Sequence, residues 1–229
     1  MKYKLPQPIL TLKMIQLISR EIKRLKIATV RPTLREMKEL SHACKAIRLT
    51  GLPENLVCKK LPGKLGFGIF LHPKAKPLVK GQIIAAYAGK AEFVAQNVPD
   101  DSAYAFAPLS DMLLTKEEQK LYDPKRKYHP RRLYSLNIDA VKIGNFTRYI
   151  NHSEKPNISA ELFRISKNKL GVLVSPIEVV YLVKKKILPG EQLLVSYEGE
   201  EKSYWSALGI KPDPVTPKTY RLSLELKII

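Results

Sequence analysis

From residue 55 onward the chain is a succession of short apolar runs that end at Gly, Pro or Asn: LVCKKL, GIFL, GQIIAAYAG, YSLNIDAV, GVLVSPIEVVYLV and EQLLVSY. Their β-branched and aromatic content, with that punctuation, predicts short strands rather than helices. The apolar stretches are broken by Lys or Pro well before the length of a membrane-spanning helix. An apolar fraction of 45% is enough for a packed core and excludes a disordered chain.

The first 55 residues have a different texture. Ile15, Ile18, Ile22 and Leu25 recur at helical spacing with Arg20, Lys23, Arg24 and Lys26 between them, which predicts an amphipathic basic helix within residues 8–27. Pro32 stops it. Thr33-Leu34-Arg35-Glu36 then has the form of a capping box. Leu34, Met37, Leu40, Cys44 and Ile47 share one face of a second helix that ends at Gly51-Leu52-Pro53. Such a pair is either a DNA-binding helix-turn-helix or a layer packed on the neighbouring domain, and packing is the commoner outcome. Between Pro108 and Arg132 lies a polar insertion, read as a short helix around residues 115–122 followed by a basic loop.

Charge bounds the partners. The net charge is +19, and residues 1–60 carry 14 Lys and Arg against 4 acidic residues. That excess attracts polyanions and predicts a basic docking face on the N-terminal helices. Two cysteines, Cys44 and Cys58, are too few for a disulfide framework or a Cys-rich zinc cluster. No cleavable secretory signal is read at the N-terminus, so the expected location is cytoplasmic. A specialised secretion signal is invisible to these rules, which leaves delivery into a host cell and its nucleus open.

Three segments carry chemistry. In LGFGIF, Gly66 and Gly68 permit a close backbone approach or positive φ, but strand-like residues follow, and the third glycine of a dinucleotide fingerprint is missing. In GNFTRYINHSEKPN, Asn151 and His152 have hydrogen-bonding edges suited to an adenine, or they belong to an Asn-rich turn. Three sequons crowd this stretch, at Asn145, Asn151 and Asn157, and a reducing compartment argues against reading them as glycosylation sites. In PGEQLLVSYEGE, Tyr197 ends a buried run. Each segment alone has an ordinary structural explanation.

Their order and spacing resemble the SET-domain family of S-adenosylmethionine-dependent protein lysine methyltransferases. The chain reads GFGIF, KGQIIAAYAGK, IDAVKIGNFTRYINHSEKPN and VKKKILPGEQLLVSY, similar to the family's GxGxF, its YxG strand, its RFxNHSxxPN segment and its GEELxxDY strand. The likeness covers about residues 62–200, and the NHS-to-PN segment is its specific part. It implies an α+β fold of short curved sheets around a pseudoknot: a basic helical segment 1–55, a catalytic domain 56–200 with its insertion at about 108–132, and a C-terminal segment 201–229 closing a lysine channel. It also implies roles. Gly66, Phe67 and Gly68 bring backbone to the methionine part of S-adenosylmethionine, and Arg148, Asn151 and His152 contact the cofactor. Tyr197 is catalytic and Tyr87 is the second active-site tyrosine. Tyr104, Val195 and Trp205 line the substrate channel.

The chain departs from the family at Glu154, where Cys is common, and at Ser196, where Asp is common. No Cys follows Tyr197, so no zinc is expected. Val195 stands at the position that tunes how many methyl groups fit. The expected partner is a lysine-rich protein, histone or histone-like, with nucleic acid held by the N-terminal helices and no membrane. The competing reading is a non-catalytic module that binds nucleic acid or chromatin. A helix-turn-helix regulator with an unrelated β-domain leaves the ordered motifs as coincidence. The target lysine, the methylation degree and the oligomeric state are not written in these motifs.

Overall fold

The computed structural model describes residues 10–61, 66–97, 104–164 and 177–197. The chain forms two compact units. The first comprises Met1–Pro32, Tyr87–Asn145 and Leu162–Val179; the second comprises Thr33–Ala86, Phe146–Glu161 and Val180–Ile229. The fold is mixed α+β, with short, mostly antiparallel sheets and N-terminal helices, as expected.

In the first unit, helix α1 (Leu12–Arg24) starts at Thr11, whose hydroxyl accepts from the Met14 amide. Its buried face, with Met14, Leu17, Ile18 and Ile22, joins the core of a three-stranded antiparallel sheet. That sheet has β6 (Leu133–Asp139) at its centre, flanked by β4 (Lys90–Ala95) and β5 (Ala105–Leu113). Phe93, Met112, Tyr134 and Leu136 supply the sheet's share of the core. The polar insertion therefore begins as strand: Pro108 to Leu113 belong to β5, which pairs with β6. Two register shifts, between Phe106 and Leu109 and between Leu109 and Met112, break the period-two pattern that would have revealed it. Helix α3 (Lys116–Tyr122) follows where a helix was expected, behind a complete Thr115–Glu118 capping box.

In the second unit, helix α2 (Leu34–Thr50) has the capping box read from the sequence. Thr33 and Glu36 cap each other, and Gly51 closes the helix at φ 74°. Its expected apolar face is only partly buried. Leu40 and Cys44 are covered, whereas Leu34, in the first turn, is 85% exposed. Strands β1 (Leu56–Lys60) and β2 (Phe67–Leu71) form an antiparallel pair. Strand β3 (Ile83–Ala86) pairs antiparallel with Val180–Leu182 of β9 (Glu178–Val183), which neighbours β8 (Ile158–Phe163); Glu178–Val179 and Leu162–Phe163 of these two strands belong to the first unit. Strand β7 (Asn151–His152) pairs parallel with β10 (Leu194–Val195), so the long run EQLLVSY yields only two strand residues.

One ion-pair cluster fastens α1 to its sheet. Glu21 is 1% exposed and accepts from Arg20, from Arg24 at 2.7 Å and from the Leu113 amide at 2.9 Å. Arg20 also reaches Glu118 and the Leu113 carbonyl, and Arg24 reaches the Asp111 carbonyl. Burial pushes the Glu21 carboxyl up, but the bonds from Arg24, Leu113 and Arg20 outweigh it and hold it below its ordinary value. Its contribution to stability is therefore complete above the usual Glu pKa of about 4.3 and is lost as the pH falls through the lower folded value. Both arginines are about two-fifths exposed, so solvent screens part of the attraction. Glu21→Gln is expected to lower stability near neutral pH by about 1–3 kcal/mol. Denaturant unfolding at descending pH should show the gap to wild type closing in acid; a constant gap would assign the loss to packing.

Candidate functional site

The second unit brings together residues that are far apart in sequence. Phe146–Tyr149 form a single 3₁₀ turn that buries Phe146 and Thr147 and delivers the chain into β7. Asn151 donates from Nδ2 to the Phe67 carbonyl at 2.9 Å, across 84 residues of sequence. His152 is buried and accepts at Nδ1 from the Tyr197 amide at 2.9 Å, across 45 residues. A backbone N–H donates only to an unprotonated ring nitrogen, so the neutral ring carries its proton on Nε2. Tyr197 donates its hydroxyl to the Ile150 carbonyl at 2.9 Å, and its ring centre lies 5.4 Å from that of His152. The glycine loop, the NHS segment and the strand-end tyrosine thus meet through side-chain-to-backbone bonds.

Asn157 locks this arrangement. It is buried, donates from Nδ2 to the Gln192 carbonyl at 2.8 Å and accepts at Oδ1 from the Leu194 amide at 2.8 Å. Its own amide donates to the Leu194 carbonyl, and its carbonyl accepts from Lys184 and Lys185. A residue buried and bonded in this way is no glycan acceptor. The sequence assigns Asn157 no role, although it closes the NHSEKPN motif. A buried Asn between two segments of backbone is not distinguishable in sequence from an Asn in a turn.

The glycines divide in function. Gly66 sits at φ 69° with no atom near where a Cβ would lie. Gly68 is buried against protein, where an added Cβ would meet Gln192 Nε2 at 2.7 Å and Leu61 and Phe70 at 3.2 Å. Gln192 is itself fully buried, and its side-chain amide has no hydrogen-bond partner among the described residues. Beside the glycines, Phe67 is 46% exposed, and its ring lies 5.5 Å from that of Tyr149. Arg148 donates to the Tyr149 hydroxyl at 2.6 Å and lies 4.7 Å from the centre of its ring. Val195 is buried in β10.

The first unit holds the other two expected tyrosines that fall within the described residues. Tyr87 is buried and donates its hydroxyl to the Tyr104 carbonyl at 2.5 Å; its ring also meets Phe106, at 5.7 Å between centres. That same carbonyl accepts from the Ala140 amide, so Tyr104 meets Tyr87 through its backbone. Trp205 and the expected channel-closing segment 201–229 lie outside the described residues.

A family model described as SET domain matches residues 66–198. Among solved structures, the chain is similar to ATXR5 in complex with histone H3.1, at 19% identity and TM-score 0.52, covering 77% of this chain and 72% of that one. A second structure, of the ATXR5 SET domain with histone H3, gives 17% identity and TM-score 0.52 over 84% and 91%. The methyltransferase domain of human SETMAR gives 21% identity and TM-score 0.42 over 65% and 46%. The fold is therefore one shared with the SET domain of ATXR5.

Two substitutions test how the site is held. Asn157→Asp keeps the shape but sets a carboxylate oxygen against the Gln192 carbonyl, so it should cost about 2–4 kcal/mol in denaturant unfolding, as much as Asn157→Ala. Gly68→Ala should also lower the melting temperature. Adding Gln192→Ala to Gly68→Ala should recover part of the loss, because the nearest clashing atom is gone; additive losses would show that the two residues do not interact.

Proposed function

The family model spans more than half of the 229 residues, so the chain belongs to the SET-domain family, and we propose that it transfers a methyl group from S-adenosylmethionine to the ε-amine of a lysine in a protein. The observation that carries this reading is the pair of bonds from Asn151 to Phe67 and from Tyr197 to His152. They gather at one place the three segments on which the family resemblance rests.

The residues fit the cofactor in kind. Open backbone at Gly66, the half-exposed ring of Phe67, the Arg148 guanidinium and the Asn151 amide would hold it. When bound, the cofactor supplies a methyl group already activated on a sulfonium, so the leaving sulfur needs no acid. The protein must deliver a neutral amine in line with the S–CH3 bond, and ideal alignment is worth up to about 7–11 kcal/mol. Lysine ordinarily ionises near about pH 10.4, and desolvation beside a positive charge lowers that value.

Tyr197 has a defined part in this. Its proton is engaged by the Ile150 carbonyl, so the hydroxyl faces other groups with oxygen lone pairs. It acts as an acceptor toward a polarised methyl or amine and orients them; it is no general base. Tyr87 is held in the same manner by the Tyr104 carbonyl, which supports an equivalent acceptor role. The lysine proton leaves to water. The substrate we propose is a basic, lysine-bearing protein of histone or histone-like kind, in keeping with the histone H3 held by ATXR5.

Transfer of labelled methyl to histones and bacterial DNA-binding proteins tests the reading. Wild type is expected to label lysine, and Tyr197→Phe to label on the order of 10²-fold more slowly while still binding cofactor. A wild-type chain that binds no cofactor and transfers no methyl would instead be a non-catalytic binding module.

A further inference from the structure

The count of charge along the chain places the expected polyanion surface on the N-terminal helices. The structure puts the arginines of α1 to another use: Arg20 and Arg24 are bound to Glu21, Glu118 and the carbonyls of Leu113 and Asp111. On α2, Arg35 is paired with Glu39. A densely charged element of the first unit lies elsewhere, in the loop between α3 and β6.

Residues 124–132 read PKRKYHPRR, five cations with no acidic residue. Residues 124–131 are all exposed. Asp123, at the head of the loop, takes up Arg126 at 3.5 Å and Arg132 at 3.9 Å. Lys125, Lys127 and Arg131 make no ion pair among the described residues. Tyr128 stands among them, 41% exposed.

The loop is braced. Gln119 on α3 is 1% exposed, and its amide grips the middle of the loop from both sides: Nε2 donates to the His129 carbonyl at 2.9 Å, and Oε1 accepts from the His129 amide at 3.1 Å. Nε2 also donates to the Leu114 carbonyl. At the loop's base, Asp123 accepts from the hydroxyl of the fully buried Tyr134. The His129 ring nitrogen Nδ1 accepts from the Arg131 amide, which fixes the turn between them. A charge run of this density is ordinarily a loose solvated tail; here a buried side chain fixes its centre, so less ordering entropy is lost when it meets a partner.

We infer that the loop 124–132 binds nucleic acid, with Lys125, Lys127 and Arg131 on phosphates and Tyr128 against a base. Fixed cations beside an exposed aromatic ring are the chemistry of a nucleic-acid strand. An anionic bilayer would call for a broader apolar face to enter the headgroup boundary, and the loop offers only Tyr128. The inference stands independently of methyl transfer.

The test is fluorescence anisotropy with labelled duplex and single-stranded DNA over a salt series, using the whole chain. Lys125→Ala/Lys127→Ala/Arg131→Ala is compared with Lys13→Ala/Lys23→Ala/Lys26→Ala, which removes the same charge from positions on and just after α1. The loop variant is expected to bind about tenfold or more weakly, with the log–log salt slope reduced by about 0.9 for each phosphate it no longer neutralises. The α1 variant should change little, and Tyr128→Ala should weaken binding of the single strand more than of the duplex. Equal losses in the two triple variants would overturn the assignment in favour of diffuse net charge. So would a wild-type chain that binds anionic vesicles but not DNA. Unchanged cofactor binding in the loop variant separates this result from any fault in the methyl-transfer site.

Discussion

The amide of Asn157 is the contact on which the second unit depends. Strands β7 and β10 pair over two residues each, too little ladder to fix two distant segments by itself. Asn157 extends that pairing with a side chain, donating to Gln192 and accepting from Leu194 much as a neighbouring strand would. The segment it grips also lies along β2, through bonds from Leu71 to Glu191 and from Leu193 to Ile69. β2 in turn supplies the Phe67 carbonyl to Asn151. The hydrogen bonds form a closed circuit, β7 to β10, on to β2 and back to β7. A shift in any one member moves the others, which is how a site built from such short elements keeps its geometry.

Two tyrosine protons are committed to backbone. Tyr197 and Tyr87 each donate their proton to a backbone carbonyl, one to Ile150 and the other to Tyr104. Each hydroxyl oxygen thus has its proton directed at backbone, which is consistent with the acceptor role proposed for it. Gly68 has a packing role beside the one its motif suggests. Its missing side chain makes room for the amide of Gln192, while Gly66 keeps the open backbone.

On α1, charge is sorted by residue type. The arginines of α1, whose guanidinium fork reaches several acceptors at once, fasten the helix to β5 and α3 around a buried glutamate. Lys13 and Lys23, which hold a compact and strongly hydrated charge, are exposed and make no ion pair among the described residues. A sequence count of positive charge over residues 1–60 treats the two alike and so overstates what the N-terminal helices present to a partner.

The sequence by itself determined the α+β class, the capped start of α2, the presence of a short helix where α3 lies, and the family, because these are written in local signals: Thr33 three residues before Glu36, Gly51 after a helix, and the ordered motifs from Gly66 to Tyr197. Those motifs also named most of the candidate site. The bulged β5, the two-residue strands and the roles of Asn157, Gln192 and Gln119 were decided only in three dimensions. Bulges erase the period-two pattern, and two residues carry no periodicity at all. A buried amide shows its role through the backbone it meets, and for Asn157 that backbone lies 35 to 37 residues away. Burial of Glu21, which is covered when α1 lies on its sheet, also commits the partly exposed Arg20 and Arg24 to fastening the helix.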